Sequence, residues 1–99
     1  MNYRVQVTPV AIGHVNDAIA WYQVEAPEQV ARFVERFAEA RNLIREYPFL
    51  GRTGPRDLRR MALRVFPYEL WYVVDGQILT IVAVTHFRQD TDEALRDLR

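Results

Sequence analysis

Hydrophobic and polar positions along this chain follow two different periods. Residues 3–8 alternate between apolar and polar side chains, which is the pattern of a half-buried strand. Thr8-Pro9 then has the chemistry of a helix N-cap followed by the first helical position, and Ala26-Pro27 interrupts the helical spacing that follows. The pattern therefore predicts two helices, the second starting at Pro27 and ending before Pro48. Their predicted apolar stripes are Ile12, Val15, Ile19 and Tyr22, flanked by Ala11 and Ala18, and then Val30, Phe33, Phe37, Ala40 and Ile44.

Strand-like periods return in the second half of the chain. Residues 48–58 contain two prolines and two glycines and are predicted to form a loop. Residues 60–66 alternate, which places Met61, Leu63 and Val65 on the core side and Arg60 and Arg64 on the other. Residues 70–74 form a further apolar strand, and Asp75-Gly76 is typical of a tight hairpin. Residues 78–87 are rich in β-branched side chains and apolar on both faces, which favours an interior strand.

These elements predict an α+β fold with the order β-α-α-β-β-β, in which a helical hairpin packs on one face of a small antiparallel sheet. Asp90 and Glu93 have the spacing of a capping box and predict a short C-terminal helix. We expect residues 1–99 to form a single domain. Regular alternation on the last strand would place His86 and Arg88 on the open face of the sheet, beside Arg60 and Arg64.

Composition and charge narrow the classes of function. The chain has no cysteine, which excludes a disulfide scaffold and a cysteine nucleophile, and the spacing of its two histidines does not suggest a metal site; no cofactor is expected. The longest nearly apolar run, residues 78–84, is too short to span a bilayer, and the N-terminus has no export leader, so we expect a cytoplasmic protein without membrane contact. The net charge of zero averages unlike segments. Residues 51–64 hold five arginines against one aspartate, a balance of +4. This segment is either solvated loop surface or a contact surface, and in the second case its partner is expected to be anionic.

Two kinds of site can be proposed from the residues. His86 as the acid–base group, with Arg60, Arg64 and Arg88 as cations, would make a minimal metal-independent ribonuclease set. The alternatives are a structural hydrogen bond for His86 and, for Arg59 and Arg60, surface charge or an ion pair with Glu69. The helical hairpin suggests a second kind of site, a groove for an apolar helix of a partner, unless its aromatic side chains are all core. Those aromatic residues are Trp21, Tyr22, Phe33 and Phe37.

An ordered series of motifs covers nearly the whole chain. It comprises Tyr22…Ala26-Pro27…Ala31-Arg32-Phe33, then Pro48…Gly51-Arg52, Leu58-Arg59-Arg60, Phe66-Pro67-Tyr68…Trp71-Tyr72-Val73-Val74 and Ile81-Val82-Ala83-Val84…His86-Phe87-Arg88. This series resembles the RelE/ParE superfamily of toxins from bacterial type II toxin–antitoxin systems, and its ParE-like branch more than its RelE-like branch.

The resemblance implies a growth-inhibiting toxin that a co-encoded antitoxin neutralises in a hetero-oligomeric complex. A ParE-like member would act on DNA gyrase without being an enzyme, and a RelE-like member would cleave mRNA on the ribosome. Relatives commonly continue after the His-x-Arg motif with basic and aromatic residues, whereas residues 89–93 here are acidic. A decayed toxin retained as an antitoxin-binding module is therefore a third reading. The candidate target- or antitoxin-binding residues are Arg52, Arg56, Arg59, Arg60, Tyr68, Trp21 and Tyr22.

Overall fold

The computed structural model describes residues 3–89, which contain two α-helices and five strands. In chain order these are β1 (Arg4–Val7), α1 (Pro9–Glu25), α2 (Val30–Glu46), β2 (Arg52–Thr53), β3 (Arg59–Ala62), β4 (Tyr68–Asp75) and β5 (Ile78–His86). The strands form one sheet in the spatial order β1-β5-β4-β3-β2, with β1 parallel to β5 and the other pairs antiparallel. The predicted α+β fold is confirmed, with β2 as an additional short strand inside the predicted 48–58 loop. The helix predicted from Asp90 lies outside the described residues.

Local chemistry sets the ends of both helices. The Thr8 hydroxyl accepts a hydrogen bond from the Ala11 amide, and Pro9 occupies the first helical position, as predicted. The chain leaves α1 at the predicted Ala26-Pro27 step, but the next residues, Pro27–Gln29, form a 3₁₀ turn before α2 begins. The stripe predicted for α2 is confirmed, whereas that of α1 is displaced, because Ile12 is 48% exposed while Ala11 and Ala18 are buried.

The main core lies between the helices and one face of the sheet, which we call the helix-covered face. An aromatic cluster fills one end of it. Phe33 is fully buried, and its ring lies 5.3 Å from that of Phe66 and 5.4 Å from that of Tyr68, both edge-on. Tyr22 of α1 completes the cluster at 5.6 Å from Phe33. Large side chains from both helices and from β4 therefore tie the hairpin to the sheet.

The opposite face, which we call the open face, carries a smaller apolar cluster. Leu58, Trp71 and Ala83 are buried there, with Val73 and Val82 packed against them. The Trp71 indole donates a hydrogen bond of 2.9 Å to the buried Thr85 hydroxyl. Gly54 approaches so closely that a Cβ atom there would lie 3.0 Å from the indole ring. The segment before β3 thus folds over Trp71 on the face that has no α-helix among the described residues.

A β-bulge in β5 overturns the predicted facing of its side chains. Trp71 pairs with Ala83, but the next residue, Tyr72, pairs with Ile81, so Val82 is an extra residue on β5. The alternation changes phase at this point. Ile81 and Val84 consequently both contact the main core, whereas regular alternation predicts opposite faces for them. The residues that follow the bulge, including His86, therefore face the side of the sheet opposite to the predicted one.

The end of β3 also departs from the predicted strand over residues 60–66. The strand ends at Ala62, and the chain turns so that the Leu63 amide bonds to the Tyr68 carbonyl. Val65 has a φ of +77° and is 71% exposed, so it is not a core residue. The predicted hairpin between β4 and β5 is confirmed, with Gly76 at a φ of +60°, a conformation that glycine adopts readily.

Candidate functional site

The arginines of residues 51–64 differ sharply in what holds them. Arg59 on the helix-covered side donates from its guanidinium to the carbonyls of Phe49 at 3.1 Å and Gly51 at 3.0 Å. The same guanidinium lies 5.1 Å from the centre of the Phe49 ring. Since its donors are already directed at backbone carbonyls, Arg59 stabilises the loop that precedes β2, and its charge is less available to a partner.

Tyr72 anchors that loop from inside the core. Its hydroxyl donates to the Pro48 carbonyl at 2.8 Å and accepts from the Gly51 amide at 2.9 Å. A Cβ atom at Gly51 would lie only 2.5 Å from this hydroxyl, so the close approach requires glycine. Burial raises the pKa of Tyr72 above its usual 10.0, although the bond from Gly51 and the charge of Arg59 partly oppose the shift. The loop position is therefore fixed by a neutral, buried phenol.

Arg60 and Arg52 form the basic centre of the open face. The guanidinium carbon of Arg60 lies 5.4 Å from the centre of the Trp71 ring. One of its nitrogens is 3.7 Å from a carboxylate oxygen of Glu69. The ion pair with Glu69, one of the alternatives from the sequence, is thus present. Arg52 lies directly opposite Arg60 in the β2–β3 register and is exposed. Arg52, Arg60 and Glu69 all line a cleft of about 410 Å³, so two guanidinium groups and one carboxylate border it and leave an excess of positive charge there.

Arg64 does not join this pair. Arg64 is largely exposed and reaches the helix side, where it donates to Glu39 of α2 at 3.2 Å. The predicted placement of Arg64 beside Arg60 is therefore wrong, because the chain leaves the strand after Ala62. Arg56 occupies an exposed 3₁₀ turn, Pro55–Asp57, with a φ of +61°.

His86 lies on the helix-covered side of the sheet. It pairs with Tyr68, and the two rings are edge-on at 5.0 Å. Its Nδ1 accepts a hydrogen bond from the amide of Arg88, which is exposed in the turn after β5. The predicted convergence of His86 with Arg60 and Arg64 on the open face is wrong, since the bulge at Val82 reverses the facing of the strand end. The structure shows for His86 the structural hydrogen bond that was the alternative reading.

A cleft of about 470 Å³ lies between α1 and the ends of β4 and β5, and it includes both candidate hairpin residues. Trp21 is 56% exposed and packs edge-on against Tyr22, which belongs to the core. Burial raises the pKa values of Tyr22 and Tyr68, and the neighbouring Tyr68 adds to the shift of Tyr22. The residues lining the cleft include His14, Asp17, Trp21, Tyr22, Tyr68 and His86.

His14, to which the sequence assigns no role, has a structural one. Its Nδ1 accepts a hydrogen bond of 3.1 Å from the Val84 amide, on the edge of β5 beyond the end of β1. The Thr8 hydroxyl bonds to the Val82 carbonyl on the same edge. Side chains thus replace a neighbouring strand there. His14 and Val84 are 70 positions apart, so no local sequence signal could have identified their contact.

Within residues 3–89, no group of three or more histidine, cysteine, aspartate or glutamate side chains is arranged to hold a metal ion. Over the same residues, neither helix combines the length and the apolar character needed to cross a bilayer.

Comparison with known proteins gives concordant matches. The family model described as the ParE toxin of the type II toxin–antitoxin system parDE matches residues 5–91. A protein of Sinorhizobium fredii (strain NBRC 101917 / NGR234), named "Putative toxin Y4kP", is 28% identical over 93 residues, which are 93% of this chain and 96% of that protein. A solved structure entitled "Chromosomal ParDE TA system from P. aeruginosa" superimposes with a TM-score of 0.72 at 17% identity, covering 86% of this chain and 96% of the other. The last match supports the fold alone.

Proposed function

Because this chain belongs to the ParE toxin family of type II toxin–antitoxin systems, we propose that it inhibits growth by binding DNA gyrase in the cytoplasm and that a co-encoded antitoxin neutralises it. Family membership implies the antitoxin partner and a toxin–antitoxin complex. The choice of gyrase as the target follows from the resemblance to the ParE-like branch. In this proposal the protein acts by binding, without a chemical step.

The observation that carries this proposal is the separation of His86 from the arginines of the open face. A metal-independent ribonuclease needs an acid–base group and cations around one phosphate. Here Arg60 lies over Trp71 on the open face, whereas His86 packs against Tyr68 on the other side of the sheet. Arg64 is drawn to Glu39. This arrangement favours a binding protein over the RelE-like alternative.

We assign target binding to the open face around Arg52 and Arg60. The unequal ratio of two guanidinium groups to one carboxylate suits an acidic surface of the target, and Trp71 beneath Arg60 holds that guanidinium in place. Arg56 would contribute from the loop, whereas Arg59 holds the loop before β2 in place. Trp21, Tyr22 and Tyr68 line the separate cleft beside α1, which we assign to the antitoxin.

Supercoiling by purified gyrase in the presence of the full-length protein tests the proposal. We expect inhibition by the wild type and an inhibitory concentration about tenfold higher for Arg52→Gln, since a lost charge-assisted contact costs about 1.5 kcal/mol or more. Arg32→Gln, which removes an exposed charge from α2, and His86→Ala should inhibit like the wild type. Unimpaired supercoiling at excess protein, or cleavage of mRNA in arrested cells that His86→Ala abolishes, would overturn the gyrase assignment.

Expression without the antitoxin distinguishes a toxin from a decayed one. Growth arrest with DNA breakage is expected, and co-expression of the neighbouring antitoxin gene should restore growth. Harmless expression of a stably folded protein would instead support the module that retains only antitoxin binding.

A further inference from the structure

A second basic cluster, which the linear charge distribution conceals, forms where β1 meets the end of α2. Arg4 of β1 and Arg41 and Arg45 of α2 line one cleft of about 620 Å³ together with Tyr3 and Val5. All three arginines are exposed. Arg41 and Arg45 are four positions apart on α2, a spacing at which like charges repel. Folding adds Arg4 to this pair, so the cluster is electrostatically unfavourable in the isolated protein.

No carboxylate among residues 3–89 forms an ion pair with any of these three arginines. Elsewhere in the same range the arrangement differs, since Arg36 pairs with Glu35 and Glu39, Arg60 with Glu69 and Arg64 with Glu39. Three exposed guanidinium groups without an internal carboxylate form a surface that suits a partner carrying negative charge.

An exposed apolar groove adjoins this cluster through Tyr3, which lines both. The groove measures about 670 Å³, and three of its side chains, Tyr47, Phe49 and Leu50, are 57%, 61% and 54% exposed. Leu43 of α2 forms its wall at 41% exposure, and Glu46 is the acidic residue on its lining. Large apolar side chains gathered in this way on the surface of a small protein are typical of a binding surface.

We propose that this surface, formed by Tyr3, Arg4, Arg41, Arg45 and the groove of Leu43, Tyr47, Phe49 and Leu50, binds a segment of the antitoxin that carries acidic side chains beside large apolar ones. The inference rests on the proposed function for the identity of the partner. Carboxylates of the segment pair with the three arginines, and its apolar side chains fill the groove. A nucleic acid would satisfy the arginines and could stack bases on Tyr47 and Phe49. The aliphatic side chains of Leu43 and Leu50 and the carboxylate of Glu46 on the same lining favour apolar side chains of a peptide over a phosphate backbone.

Overlapping 15-residue peptides of the antitoxin encoded by the neighbouring gene provide the probe. Binding of each labelled peptide to the full-length protein is measured by fluorescence anisotropy, at low and at high salt. We expect the peptides bound here to be net acidic with several large apolar residues. The affinity should fall in high salt, because exposed charges are screened.

Matched variants locate the binding surface. Arg45→Gln should weaken the acidic peptide about three- to tenfold, and the triple change at Arg4, Arg41 and Arg45 by about thirtyfold or more. Arg32→Gln alters the same helix by the same charge at another exposed position and should bind like the wild type. Leu50→Ser should also weaken binding, whereas Val24→Ser, an exposed aliphatic change on α1, should not. Unchanged thermal unfolding of each variant verifies that it is folded.

Three outcomes overturn the inference: equal binding by Arg45→Gln and Arg32→Gln, no acidic peptide bound by the wild type, or tighter binding of a 20-nucleotide oligouridine than of any peptide. These readouts do not depend on toxicity. A protein that binds the acidic peptide at this surface but fails to inhibit gyrase refutes the proposed target and leaves the surface assigned. Gyrase inhibition without the expected peptide binding would refute this binding surface and leave gyrase as the proposed target.

Discussion

The two faces of the sheet are built from alternating residues of the same strands, yet they differ in what they hold. On β4, Tyr72 faces the helices and belongs to the main core, whereas its neighbour Trp71 faces the open side with Leu58 and Ala83. The helix-covered face contains aromatic rings from α1, α2, β4 and the turn before β4. The open face instead buries one indole beneath Arg60. The difference shows that one face supplies most of the packing, whereas the other presents charge at the place where we propose that the target binds.

Truncating one large side chain on each face is the strongest test of this separation. Phe33→Ala should lower the free energy of unfolding by about 4 kcal/mol, because a fully buried ring is lost from the main core. Leu58→Ala on the open face should cost about 2 kcal/mol, since its cluster is smaller. Urea denaturation measures both. A larger loss for Leu58→Ala than for Phe33→Ala would show that the open face carries the principal core.

Removing one buried hydroxyl tests the anchor of the 48–51 loop. Tyr72→Phe should lower the free energy of unfolding by about 2 kcal/mol, because the Pro48 carbonyl and the Gly51 amide both lose their partner. Tyr68→Phe is the matched control, since the Tyr68 hydroxyl makes no hydrogen bond within residues 3–89, and it should change stability by less than about 0.5 kcal/mol. Equal effects of the two changes would contradict the anchoring role.

The open face has its own buried polar contact, between Trp71 and Thr85. Thr85→Val keeps the side-chain shape but leaves the indole N–H without its acceptor, so we expect a loss of about 1 kcal/mol. In Trp71→Phe the same threonine change should cost less, which a double-mutant cycle measures by urea denaturation. Additive effects would mean that this hydrogen bond does not stabilise the open face.

Alkaline pH should destabilise the packing of the helix-covered face gradually in the wild-type protein. Tyr22, Tyr68 and Tyr72 lie on that face, and burial is the main cause that raises the pKa of each above 10.0. Because the pKa values are raised in the folded state, the three neutral phenols contribute stability that is fully present below pH 10. That contribution is lost as the pH rises through the folded-state pKa values. Denaturation followed from about pH 9 upward should show the decline. A constant free energy of unfolding up to about pH 11 would contradict it.

The smallest effect is expected at the surface. Arg64→Gln breaks an exposed ion pair with Glu39, and solvent screening limits the expected loss to about 0.5 kcal/mol or less. Thermal unfolding at low and at high salt measures it. Because Arg64 lies away from Arg52 and Arg60, gyrase inhibition should be retained; a tenfold loss of inhibition would extend the recognition surface to the helix side.

The parts of the fold that depend on neighbouring residues in the chain could be read from the sequence. Thr8-Pro9, Ala26-Pro27 and Asp75-Gly76 predict the boundaries at which α1 begins, α1 ends and β4 turns into β5, because capping, proline sterics and a positive φ act over a few residues. The stripe of α2 is likewise confirmed. The strand over residues 60–66 is wrong at its end, since a β-branched residue at a φ of +77° has no signal in a periodic pattern.

The candidate site was less predictable, because its geometry depends on register. One extra residue at Val82 moves His86 from the expected open face to the side of Tyr68, which a period of two cannot anticipate. Arg59 and Arg60 are adjacent in sequence and similar in chemistry, yet one is directed at backbone carbonyls and the other lies over an indole. Only the alternation of β3 across the sheet distinguishes them.

The family, the order of the predicted elements and the arginine-rich segment follow from the sequence, since they rest on local chemistry and on motif order. Which charges meet depends on the tertiary structure. It directed Arg59 at backbone carbonyls and Arg64 at Glu39, and it left Arg52 and Arg60 on the open face. It also brought Arg4 beside Arg41 and Arg45, a cluster that no window of the chain contains. Electrostatic interactions act through space over a few ångströms, so their partners follow from strand register and helix packing, which a linear sum of charge cannot represent.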